Sequence, residues 1–120
     1  VGILGIDYII SDDGIFPIEN NARFNGSTFS FGIIDNIEER LGPVACWKFF
    51  NAKTKPCSFT ELTELIEPIL YNNHRLNCVF PHDCDALHIT GQFAPLLVAE
   101  DIYHIEYLEE SLKSLGIERI

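Results

Sequence analysis

The chain reads as an α+β protein, an antiparallel sheet with helices packed on it. Three observations carry this. Residues 1–23 form two β-branched and aromatic arms around a turn cluster, the pattern of a hairpin. Apolar residues recur at helical spacing in two later stretches, around 29–41 and 105–112. Between those stretches lie short apolar runs separated by turn signals. With 120 residues the chain is long enough for a core, and 47% apolar residues argue against disorder. A polar connector at 51–57, NAKTKPC, divides a first piece, 1–52, from a small α+β piece, 58–120. Nothing in the chain repeats.

The hairpin comes first: VGILGIDYII, then SDDG, then IFPIENNAR. A three-residue loop at Asp12, Asp13 and Gly14, with Gly14 at positive φ, predicts a definite register. Ser11 then pairs with Ile15, Ile9 with Pro17, and Asp7 with Glu19. Asn21 follows Glu19 on the same face, because side chains alternate. Ile6, Tyr8, Ile10, Phe16 and Ile18 point the other way, towards a core.

A helix follows, capped by Ser27 or Thr28 and running to about Leu41, where Gly42 and Pro43 stop it. Phe29, Ile33, Ile34, Ile37 and Leu41 make its inner stripe. Residues 44–50 read as a buried strand, with Trp47 and Phe49 on one face and Lys48 and Phe50 on the other. Ser58 with Glu61 forms a capping box for a helix that Pro68 ends near Glu67. Phe59, Leu62, Leu65 and Ile66 form its inner face. Three short strands are predicted at 76–80, 86–90 and 96–100. Asp101 caps a last helix to about Leu115, with Ile105, Leu108 and Leu112 inside. Glu106, Glu109 and Glu110 form a solvated acidic face.

The totals exclude several functions. A net charge of −10 argues against nucleic acid or an anionic membrane as partner. No apolar run approaches the roughly 20 residues of a membrane span, and VGILGIDYII lacks the basic start of a signal peptide. Cys46, Cys57, Cys78 and Cys84 have no CxxC spacing, so they read as free thiols in a reducing cytoplasm. Cys78, His82 and Cys84, with Cys57, make at most a partial zinc set of unusual spacing. His82 and His88 read as ordinary surface or satisfied histidines. The chain has no Met and opens inside a strand, as an excerpt or a cleaved piece would. It also has no Gly-rich phosphate loop and no lysine-bearing strand to hold a nucleotide.

The chemistry concentrates on the hairpin. Opposed residues on antiparallel strands have Cβ atoms about 4.5–5.5 Å apart, and like charges there are destabilising. Two carboxylates and an amide oxygen gathered there ask for a cation, and oxygen-only ligands suit magnesium, manganese or calcium. Arg23, two residues on, can hold a phosphoryl or carboxylate oxygen bidentately. The plain alternative is a sheet edge with solvated acids. Asn25, Gly26, Ser27 and Thr28 lie at a helix start, where backbone N–H groups favour an anion. They are candidates for holding a substrate carboxylate or acyl phosphate, or else they form an ordinary cap.

The string GIDYIISDDGIFPIENNARFNGST resembles the metal-binding end of an ATP-grasp ligase. That family carries a strand Asp, a turn, and Glu-x-Asn-x-Arg on the returning strand. The resemblance implies that Asp7, Glu19 and Asn21 ligate Mg2+ (or Mn2+) and that Arg23 contacts phosphate. Asn21 and Arg23 would then face ATP, with Arg23 the catalytic cation. Ala22 stands where the family often has Pro. Later segments resemble more loosely the trailing part of amino-acid or peptide ligases, such as the pheganomycin-type ones. The implied protein is a cytoplasmic carboxylate–amine ligase, and this chain its C-terminal lobe, inactive alone. Its partners would be ATP, a small carboxylate, an amine and the upstream part of the same enzyme, with a homo-oligomer possible. A different class is a non-catalytic acidic module for oligomerisation or partner binding. A glycosidase pair, with carboxyls about 5–5.5 Å apart, would leave Asn-x-Arg without a role.

Overall fold

The structure, a computed structural model, describes residues 2–120, and for Ser27 the backbone alone. Val1, the first residue of the expected hairpin arm, lies outside the described residues. The chain is α+β, with antiparallel sheets and helices. Contacts divide it into two compact units, Val1–Ile33 and Ile34–Ile120. No described helix is long and apolar enough to cross a membrane.

The first unit holds β1 (Gly5–Ser11) and β2 (Gly14–Asn21), which pair antiparallel, and the start of α1 (Gly26–Leu41). The turn is tighter than the sequence predicts. Ser11 pairs with Gly14, so the loop is Asp12 and Asp13 alone. The Asp13 N–H donates to Ser11 Oγ at 3.3 Å, and Gly14 takes a φ of 139°. Ile9 therefore faces Phe16 rather than Pro17, and Phe16 moves to the face of Ile9. A bulge then restores the count, because Tyr8 pairs with Pro17 while Asp7 pairs with Glu19. Pro17 gives the physical reason: it has no N–H for the ladder, and the irregularity follows it directly.

The expected core under the hairpin is not formed among the described residues. Ile6, Tyr8, Ile10, Phe16 and Ile18 are all exposed, between 41% and 78%. Phe29 is exposed as well, and Ser30 takes its place as the buried residue in that turn of α1.

The second unit is built on β6 (Gln92–Ala99), which is apolar and buried from Phe93 to Ala99. β3 (Cys46–Phe49) and β4 (Ala52–Lys53) pair along one edge of it, and β5 (Cys78–His82) along the other. Residues 51–57, read as a connector, thus supply a strand to the same sheet. β3 and β4 break apart opposite Ala94 and Pro95, where Pro95 offers no N–H to the ladder. β7 (Glu118–Arg119) closes the order by pairing with β4.

Register sets the faces. Trp47 stands opposite Val98 and Phe49 opposite Leu96, so both aromatics share one face, as alternation predicts. Leu97, Ala99, Phe93 and Val79 lie in the main cluster with Leu62, Ile66, Ile105, Leu108 and Leu112. The last five come from α2 (Phe59–Leu65), its C-cap and α4 (Ile102–Ser114). The Ser58–Glu61 capping box is present, with Glu61 Oε2 accepting from the Ser58 N–H at 2.7 Å. Phe59 and Leu65, expected inside, are exposed. The expected strand at 86–90 is instead a helical turn, α3 (Leu87–Thr90), ended by left-handed Gly91. Asp101 caps α4 by accepting from the His104 N–H at 2.9 Å. Glu109 is not simply solvated: it receives Lys48 at 2.8 Å.

Leu97 is fully buried at the centre of β6. Leu97→Ala lowers unfolding free energy by about 2–5 kcal/mol, and the exposed Ile102→Ala by less than about 0.5; urea titration compares them. Asp101 sits below the usual carboxylate range, because the His104 N–H and ring donate to it. A depressed folded pKa contributes stability above the unfolded value and loses it as pH falls through the folded one. The difference in Tm between the native chain and Asp101→Asn is therefore present at pH 6 and fades below about pH 4.

Candidate functional site

The hairpin end away from the turn gathers the residues that the sequence singles out. Antiparallel pairing sets Asp7 directly opposite Glu19, and both are exposed. Asn21 lies one alternation further along β2, opposite Gly5 and on the face of Glu19. Its Nδ2 donates to Asp7 Oδ2 at 3.3 Å. Its Oδ1 accepts from Arg23 Nη2 at 3.2 Å. Arg23 Nη1 also donates to the Phe24 carbonyl at 3.4 Å. An amide thus bridges one acid to the guanidinium, and the second acid faces the first.

The start of α1 adjoins this end. A Cβ on Gly5 would lie 2.7 Å from Asn25 Nδ2 and 3.8 Å from the Cβ of Asn21. Glycine at position 5 therefore leaves the space in which the Asn25 side chain lies. Asn25, rather than Thr28, caps the helix. Its Oδ1 accepts from the Thr28 N–H at 3.2 Å, while Thr28 Oγ1 accepts from the Asn25 N–H at 3.1 Å. This is a reciprocal cap with Thr in the place usually held by Glu or Gln. The Thr28 amide is consequently taken up internally. The Ser27 side chain lies outside the described residues, and Gly26 opens the helix.

The donor set suits a hard divalent cation in part. Asp7 and Glu19 supply opposed carboxylates, while the carbonyl of Asn21 is turned to Arg23. Among the described residues no three His, Cys, Asp or Glu side chains gather as a metal-holding group. Cys57, Cys78, His82 and Cys84 are not gathered into such a group among the described residues.

Elsewhere, His82 packs against Phe49 with ring centroids 6.4 Å apart, and burial lowers its pKa against the pull of Asp83. His88 is exposed. Sequence reading did not find the open cleft of about 750 Å³ that includes Phe50, Glu106, Glu110, Lys113, Glu118 and Arg119. Its cations are engaged: Lys113 lies 3.8 Å from Glu110, and Arg119 stacks 5.3 Å from the Phe50 ring centre. The pairing of charges on α4 was the available signal, but it does not specify a reaction.

Comparison of the chain with protein-family models, curated proteins and solved structures finds no match.

Gly5→Ala forces the Asn25 amide away and loosens the cap. Hydrogen exchange at the Thr28 amide then accelerates about tenfold, as loss of roughly 1.4 kcal/mol of protection would give. Unchanged exchange at Thr28 would contradict the packing of Asn25 on Gly5.

Proposed function

We propose that the chain is the C-terminal part of an ATP-dependent carboxylate–amine ligase of the ATP-grasp type. The observation that carries this reading is the direct opposition of Asp7 and Glu19, with Asn21 and Arg23 aligned beside them. Opposed carboxylates repel, and a divalent cation between them relieves that repulsion. Mg2+ or Mn2+ would be held by Asp7 and Glu19, with Asn21 as a third ligand once its carbonyl is released from Arg23. The metal would neutralise charge on the phosphates of ATP as a carboxylate is converted to an acyl phosphate for attack by an amine. Phosphoryl transfer depends mainly on positioning and charge neutralisation.

Arg23 supplies the fixed cation on the transferred phosphoryl or the acyl phosphate. Asn25, Gly26, Ser27 and Thr28 are the candidates for the substrate's acid group, with the Thr28 amide already committed to Asn25. A cytoplasmic enzyme would keep its four cysteines as thiols. The exposed apolar side chains of β1 and β2 support a further element of the enzyme lying against them.

The same exposure favours the second reading, a non-catalytic module that binds a partner or a second copy through the hairpin. Calorimetry on an enzyme that includes the upstream sequence separates the two. The ligase reading expects Mg2+-dependent ATP binding, and a Glu19→Ala form with an unchanged Tm and turnover reduced at least a hundredfold. Normal turnover in Glu19→Ala would remove Glu19 from the site. Absence of ATP binding would favour the module.

A further inference from the structure

We infer that Cys57 and Cys84 are a disulfide-forming pair, linking the segment before α2 to the turn before α3 when a small-molecule disulfide oxidises the protein. The inference stands apart from the ligase reading and concerns the second unit alone. Backbone bonds bring the two cysteines to one place. The Cys57 N–H donates to the Leu87 carbonyl at 3.3 Å, and the Leu87 N–H donates to the Cys84 carbonyl at 3.1 Å. Leu87 is buried, and both cysteines lie half-buried at the margin of the same apolar cluster.

The segment carrying Cys57 is also fixed along α3. Three residues earlier, the Thr54 N–H donates to the Gly91 carbonyl at 3.0 Å. There the backbones touch, since a Cβ on Gly91 would fall 1.9 Å from the Thr54 carbonyl oxygen. Two bonds three residues apart hold the 54–57 segment against 87–91.

The other two cysteines cannot pair with each other. Cys46 stands opposite Ala99 and Cys78 opposite Val98, on the two edges of β6 and on opposite faces of the sheet. Two strand spacings separate them by roughly 10 Å, beyond the reach of a disulfide. Cys78 is fully buried, and burial pushes its thiol up to about 11.

The exchange balances with a disulfide oxidant such as oxidised glutathione. One cysteine thiolate attacks a glutathione sulfur, forming a mixed disulfide and releasing one glutathione. The second cysteine attacks its partner's sulfur and releases the other. The pair loses two electrons and two protons, and the oxidant becomes two thiols. Burial foremost, then Asp83, Asp85 and Cys57, holds the Cys84 thiol above its ordinary range. Burial and Glu61 do the same for Cys57. Thiolate is therefore scarce at neutral pH, and closure is slow there and faster as pH rises.

The test is incubation of the reduced native chain with oxidised glutathione at pH 8, followed by unfolding and alkylation of the remaining thiols. Digestion after Lys and Arg combined with digestion before Asp separates all four cysteines, since Asp83 lies between Cys78 and Cys84. The expected product is a monomer two hydrogens lighter, with the peptide of Cys57 joined to Asp83–Cys84. Cys46 and Cys78 are alkylated, and Tm is raised by about 10 °C or more. Glutathione left as a mixed disulfide on Cys57 or Cys84, a bond involving Cys46 or Cys78, or all four thiols alkylated would each overturn the inference.

Discussion

The register of antiparallel strands is the constraint on which the rest of this protein depends. In the second unit it sets β6 between β3 and β4 on one edge and β5 on the other, and β6 is buried from Phe93 to Ala99. α2 and α4 then contribute to the cluster on the Leu97 and Ala99 side. In the first unit the same constraint sets two carboxylates opposite each other. Strand pairing exchanges backbone hydrogen bonds at fixed spacing, so the position of every side chain follows from where the ladder starts and slips.

The hairpin shows how one slip can cancel another. A three-residue loop with regular pairing beyond it and a two-residue loop with a bulge after Pro17 both bring Asp7 to Glu19. Alternation therefore identified the acidic pair while misplacing Phe16, and it could not locate the irregularity. Other elements were legible for local reasons. Ser58 with Glu61, and Asp101 ahead of an apolar stripe, mark helix starts because their side chains satisfy amides that the helix leaves unpaired. The segment 86–90 was not legible. Its isoleucine and threonine suit a strand, but the Cys84 carbonyl and left-handed Gly91 close it as a helical turn. The cap of α1 was missed for a related reason. Asn25 and Thr28 are both good caps, and only the space beside Gly5 favours the asparagine.

What the sequence could not convey is where apolar faces go. Patterning identified the apolar residues of β1 and β2, but these are exposed. The apolar residues of β6 are buried on both sides. A two-stranded ribbon cannot bury its faces by itself, and such ribbons are only marginally stable unless something packs against them. This agrees with a hairpin that works in company, whether in a larger catalytic lobe or at an interface. The acids at its far end are exposed, with Arg23 held beside them through Asn21.

The central claim is that opposed Asp7 and Glu19 form a seat for a divalent ion. Manganese titration followed by amide NMR tests it most directly, because bound Mn2+ broadens nearby signals. The account predicts that the signals of Asp7, Glu19 and Asn21 disappear first, at the lowest Mn2+ concentrations. Earlier loss around Glu106, Glu109 and Glu110 on α4, with the hairpin signals intact, would contradict it.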